Sequence, residues 1–229
     1  MIMLIALFGI AHSDIEESSY TKPHNFGMGI GYGFSPVILS YEYPYSYIER
    51  QTSATDINHS VSILGTYQFR FGEDSRYFSA IEVLVGLGAN FLNPNGGGVY
   101  PGVAFDMALL YGSYYMLNGV NIGLKSGVGY ALNTAYNSQE LQRGLTMKQD
   151  ILYHSYGALF NLEAEIARHF ALGIMYGYYF GVHISDSIEL RSGGESIPYL
   201  DSSVSTWSLL GNGTILTSHK LVVYAMYRF

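Results

Sequence analysis

From Phe26 onward apolar side chains recur at every second position nearly to the end of the chain, the period of a β-strand, and helical spacing is hard to find. In residues 26–34, Phe26, Met28, Ile30, Tyr32 and Phe34 share one face and the other is glycine alone. In 61–71, Val61, Ile63, Tyr67, Phe69 and Phe71 oppose Ser62, Thr66, Gln68 and Arg70. Five further segments repeat the scheme, with Glu82, Asp106, Lys125, Glu163 and Glu165 always on the small-residue face. The last runs Leu221, Val223, Ala225, Tyr227 and Phe229 against Lys220, Tyr224 and Arg228.

A soluble barrel buries its apolar face inside, where volume limits side-chain size. A lumen of about eight strands could not hold this many Phe, Tyr and Leu while glycine faces water. Inversion removes the conflict: the large apolar face meets lipid, and Gly, Ser, Asn and charged groups fill a narrow interior. A spanning sheet must also close, because lipid satisfies no edge hydrogen bond. The expected fold is therefore all-β, an antiparallel transmembrane up-and-down β-barrel of about eight strands.

Connection lengths set the topology. Short ones fall at 72–75, 117–118 and 167–169, and long ones at 46–58, 92–99, 133–152 and 185–201, in strict alternation. Outer-membrane barrels have short periplasmic turns and long extracellular loops, so both termini are expected in the periplasm. Ser35-Pro36 and Gly211-Asn212-Gly213 are turn signals that would give ten strands. That count would move every long loop to the periplasmic side. The preferred alternative is a bulge or kink at each place, in long first and last strands that form a protruding wall.

Composition agrees with a membrane protein. Charged residues are 13% of the chain, against about 25% in soluble domains. The 22 Tyr and 27 Gly suit strands that alternate large and very small side chains. Eleven scattered Lys and Arg with a net charge of -7 leave no basic surface for nucleic acid. The absence of cysteine removes disulfides and thiolate metal sites. No apolar run reaches the ~18 residues of a spanning helix. Residues 1–13 form an apolar block with Ala11 and Ser13 in an A-x-A-like pattern, but without a basic n-region. They read as a partial signal peptide, 14–25 as an N-terminal periplasmic segment and 26–229 as the barrel.

The expected lumen collects Arg70, Lys125, Lys220 and Arg228 with Glu82, Asp106, Glu163 and Glu165, equal numbers of each sign. Buried charges persist only when paired, so an ion network that plugs the barrel is expected rather than a pore. His183 and Ser185, at i and i+2 on one strand face with Glu195 downstream, come nearest to a catalytic set. The arrangement resembles the outer-membrane lipid A deacylases, but Asp186 follows Ser185 where that family has Asn. A polar strand end entering a loop is the preferred reading. His24, His59, His169 and His219 have no partner at ligand spacing, so neither a metal nor another cofactor is expected. Gly-x-Gly runs lack the following helix that a phosphate cradle requires. Tyrosines at 41–47 and 176–179 fit interfacial girdles.

The C-terminal LVVYAMYRF, with Tyr227 and the final Phe229, resembles the terminal strand that the barrel-assembly machinery reads as an insertion signal. With the strand number and loop asymmetry, 26–229 resembles the small OmpA/OmpX-like outer-membrane barrel family. The resemblance implies a monomer in the outer membrane of a Gram-negative cell, in contact with lipid and lipopolysaccharide, with a structural or surface-interaction role and no enzymatic activity. A small channel for ions or hydrophobic solutes and a lipid A-modifying enzyme are the alternatives.

Overall fold

Eight long antiparallel strands pair all the way round, so the backbone N–H and C=O groups of the wall find partners within the sheet. The computed structural model describes residues 23–40, 54–74, 76–93, 99–140, 145–166, 169–192, 195–196, 202–207 and 215–229. Every regular element among them is a strand: β1 His24–Ser40, β2 Ala54–Asp74, β3 Tyr77–Asn93, β4 Tyr100–Leu117, β5 Val120–Glu140, β6 Leu145–Ile166, β7 Phe170–Ser192, β8 Glu195–Ser196, β9 Ser202–Trp207 and β10 Ile215–Arg228. Strands β1 to β7 pair in sequence order, and β10 closes the ring between β7 and β1.

Paired residues followed once around the wall run from Gly27 through Thr66, Leu84, Ala108, Gly129, Gly157, Tyr179 and Ser218 to Val37. The circuit thus returns to β1 at position 37 instead of 27, and this stagger tilts the strands as closure demands. The ring has eight staves. Strands β8 and β9 add none: they extend the edge of β7, and β9 pairs with 183–188 beyond the stretch where β10 pairs with 170–180.

Ser35-Pro36 makes no turn. β1 runs through it, and only the β10 side loses ladder pairs there, between Phe34↔Leu221 and Val37↔Ser218. Gly211-Asn212-Gly213, residues 1–22, the tyrosines at 41–47 and the centres of the first two long connections lie outside the described residues.

Three expectations are corrected. The 133–152 and 185–201 segments are largely strand: β5 continues to Glu140, β6 begins at Leu145 and β7 reaches Ser192. Since β4 leaves β5 at Ala104↔Asn133, β5 continues seven residues alone with β6, about 23 Å at the rise of a strand. Among the described residues the protruding wall is β5, β6 and β7 with β9; residues 41–53 and 208–214, which follow the first strand and precede the last, lie outside them. Second, Val182 is an extra residue in β7, because His154 pairs with His183 while Ser155 pairs with Gly181. This bulge shifts the β7 register by one residue from His183 onward.

Third, the β4–β5 connection is Asn118-Gly119, with φ of 50° and 80°. Two consecutive positive φ values make the primed hairpin turn whose twist matches that of the strands, and Asn-Gly is its preferred sequence. Asn118→Val is expected to lower stability by about 1 kcal/mol, because a β-branched residue resists the left-handed region. A lower urea midpoint for the detergent-folded barrel would record this, and Asn118→Gly should leave the midpoint nearly unchanged.

Candidate functional site

The wall is apolar outside and polar inside. Ile30, Ile63, Leu124 and Val128 are 62–67% exposed, whereas Glu82, Lys125, Glu163 and Arg228 are at most 1% exposed. An outward band of this kind is stable only against hydrocarbon, since such an area of Phe, Tyr, Ile and Leu in water would drive aggregation. Aromatic residues mark both of its edges, with Phe71, Tyr77 and Tyr115 at the turn end and Phe34, Phe91 and Tyr156 towards the loops. The chain is a transmembrane β-barrel of the outer-membrane type. No family model matches it, and no curated protein is similar in sequence.

Among solved structures it is similar to the outer membrane protein OprG from Pseudomonas aeruginosa, at 14% identity over 91% of this chain and 97% of that one, TM-score 0.48. A major outer membrane protein from Thermus thermophilus is 13% identical over 91% and 100%, TM-score 0.49. Ail, the attachment invasion locus protein of Yersinia pestis, is 13% identical over 91% and 100%, TM-score 0.37.

Inside the barrel the alternation of each strand turns a layer of side chains inward at each height. Nearest the turns lies an ionic cluster of Arg70, Glu82, Lys125, Glu163, Glu165 and Arg228, three charges of each sign. Arg228 reaches from β10 to Glu163 on β6 at 2.5 Å and to Glu82 on β3 at 3.3 Å, and its Nε lies 3.2 Å from Glu165. Lys125 from β5 pairs with Glu82 and, at 3.2 Å, with Glu163. Arg70 pairs with Glu165 and lies over the Phe78 ring, 4.9 Å from its centroid. Strands on opposite sides of the lumen are therefore tied through its centre.

Hydroxyls and amides complete the cluster. Tyr114 and Tyr224 donate to the two oxygens of Glu163 at 2.7 and 2.6 Å, Gln68 donates to Tyr114 at 2.7 Å, and Asn161 donates to Tyr224 at 2.8 Å. Glu165 accepts from Asn121 at 3.2 Å. Carboxylates out of water need this many donors, since a buried charge with unmet lone pairs is costly. The two tyrosines fit because glycine faces them. A Cβ on Gly123 would stand 2.4 Å from the Tyr114 ring, and one on Gly173 would stand 2.2 Å from the Tyr224 ring. At these two places the glycine and the tyrosine are required together, because the ring lies flat over the neighbouring strand.

Above the cluster the interior turns apolar, which corrects the expected filling of small and charged residues alone. Leu64, Leu84, Leu110, Leu159, Met175 and Val222 form a buried belt with Tyr179. Beyond it Lys220 binds both oxygens of Asp106 at 2.6 Å, so these two residues stand apart from the other six as a separate ion pair. Towards the loops Asn58 and Asn90 share a hydrogen bond at 3.3 Å, and Val37, Leu92, Tyr100, Ala135, Ile151 and Tyr153 form an upper apolar layer. The belt was hidden in the sequence because runs such as Val83-Leu84-Val85 and Leu221-Val222-Val223 are apolar on both faces.

The residues weighed for catalysis are not brought into one constellation. Ser185 lines a shallow hollow of about 270 Å³ on the protruding wall with Thr134, Tyr136, Asp150, Leu152 and Ser187. Glu195 pairs with Ser192, seven residues along β7 from Ser185, about 23 Å at the rise of a strand. His183 pairs with His154 and Trp207. Among the described residues no group of His, Asp and Glu is arranged to hold a metal ion.

Tyr227 and Phe229 end the chain on the outer wall, 50% and 56% exposed, with their rings edge to face at 5.3 Å. The Phe229 N–H donates to the Phe26 carbonyl at 2.8 Å, so the final residue still belongs to the seam with β1.

Proposed function

We propose that this chain is a closed outer-membrane barrel that strengthens the envelope and offers its extracellular side as an interaction surface, without passing solutes. The observation that carries this reading is Arg228, which reaches into the lumen from β10 to Glu82 on β3 and to Glu163 and Glu165 on β6, with the leucine belt packed above it. An ion moving through would have to part charges that compensate one another in a low-dielectric interior. The raised β5–β7 wall supplies a rigid platform for recognition, since binding residues on a fixed frame lose little entropy on association. In the same reading Tyr227 and Phe229 serve the barrel-assembly machinery during insertion.

Planar-bilayer recording tests the closed lumen. The folded protein is expected to give no reproducible single-channel steps in 1 M KCl, whereas regular unitary steps would overturn the reading.

A further inference from the structure

The outer wall carries histidines in a repeated arrangement that lumen packing does not explain. Towards the loop end, the Tyr32 hydroxyl lies 2.6 Å from His59 Nδ1, Tyr130 2.5 Å from His154 Nδ1 and Tyr176 2.6 Å from His219 Nδ1. At the turn end Tyr67 makes the same bond to His24 at 2.7 Å. Each pair crosses between neighbouring strands on the same diagonal. His59 is opposite Phe34, His219 is opposite Tyr178 and His154 is opposite Leu132, in each case two residues nearer the loops than its tyrosine. His24, opposite Phe69, is likewise two residues nearer the turns than the residue paired with Tyr67. The tyrosine is always on the hydrocarbon side and the histidine on the interface side.

This bond fixes the imidazole. A phenol O–H is the better donor and an imidazole nitrogen the better acceptor, and a hydroxyl that donates to Nδ1 leaves the ring proton on Nε2. Below His59 the wall is apolar, with Ile30, Val61 and Ile63 exposed; below His219, Ile174, Leu221 and Val223 are exposed. Each place therefore offers a strip for an acyl chain with an N–H donor at its upper end. That is the polarity of a lipid with a phosphorylated headgroup.

We propose that the Tyr32–His59 and Tyr176–His219 pairs are binding sites for outer-leaflet lipid phosphate, with Nε2–H donating to a phosphate oxygen and the tyrosine holding the ring in the donating tautomer. The occupant is a lipid, because the apolar strip continues directly into the hydrocarbon-facing band. An imidazole suits this position because it joins an aromatic body to an N–H donor.

Titration of the full-length barrel, folded in an uncharged detergent, with short-chain phosphatidylglycerol tests the proposal by imidazole ¹⁵N NMR. The Nε2 resonances of His59 and His219 are expected to carry the proton and to shift on titration, while diacylglycerol of the same chain length leaves them in place. The His59→Phe/His219→Phe variant keeps the aromatic surface and is expected to weaken phosphatidylglycerol affinity about tenfold; Tyr32→Phe/Tyr176→Phe should weaken it about threefold. A ring proton on Nδ1, equal shifts with diacylglycerol, or unchanged affinity in the histidine variant would overturn the proposal. Saturation by inorganic phosphate alone, as tight as by the lipid, would overturn the assignment to a lipid.

Discussion

Glu163→Gln is expected to lower the stability of the folded barrel by about 3–5 kcal/mol, the usual consequence of leaving buried charges without their partner. Glu163 is fully buried and takes four donors: Lys125, Arg228, Tyr114 and Tyr224. The amide keeps the shape and one acceptor, but its NH₂ group faces cations, and a net positive charge remains in a site that water does not reach. Lys125→Met in the same chain removes that excess. The double variant should therefore lose less than the sum of the two single variants, with a coupling of about 1–3 kcal/mol. Urea midpoints of the detergent-folded proteins measure all three. Glu189→Gln provides the contrast, because Glu189 and Arg191 are about one-third exposed and such a pair contributes within about 0.5 kcal/mol. Equal small effects at Glu163 and Glu189 would mean that the lumen is wet and the cluster solvated.

Gly173→Val is expected to abolish the heat-modifiable folded band or to lower the unfolding midpoint by more than about 3 kcal/mol. The added Cβ alone would lie 2.2 Å from Cζ of Tyr224. That ring cannot swing aside without breaking the hydrogen bonds of Tyr224 to Glu163 and Asn161, so the cost exceeds the about 1–3 kcal/mol typical of overpacking. Gly65→Ala is the matched control: nothing lies within 4 Å of its Cβ position, and the substitution should be neutral or slightly stabilising. A destabilised Gly65→Ala with a tolerated Gly173→Val would place glycine's role in backbone conformation instead of ring seating.

Much of the barrel was legible because lipid imposes one demand, that large apolar side chains dominate the outward positions of the wall. The alternation from Phe26 to Phe34 and from Leu221 to Phe229 is that demand written out, and the inward charges follow by elimination. Legibility fails where the demand ceases. In the lumen both apolar and polar side chains pack, so Leu64, Leu84 and Leu110 carry no signal that separates inside from outside. Above the hydrocarbon, polar residues such as Ser138, Lys148 and Asp150 read as loop although backbone pairing continues through them. The Val182 bulge leaves no trace in composition, because it only exchanges the two faces of β7. The partners of Glu163 were likewise invisible: alternation puts Tyr114 and Tyr224 on the inner face, but only the stagger of the barrel sets them at the height of one carboxylate.

The polarity of the wall can be read directly from fluorescence quenching by lipids brominated in the acyl chain, using single tryptophans in a Trp207→Phe background. Ile63→Trp should fold and be strongly quenched, while Ser62→Trp, one residue along the same strand and turned into the packed lumen, should fail to fold. An unquenched, folded Ile63→Trp, or a folded and quenched Ser62→Trp, would contradict the account.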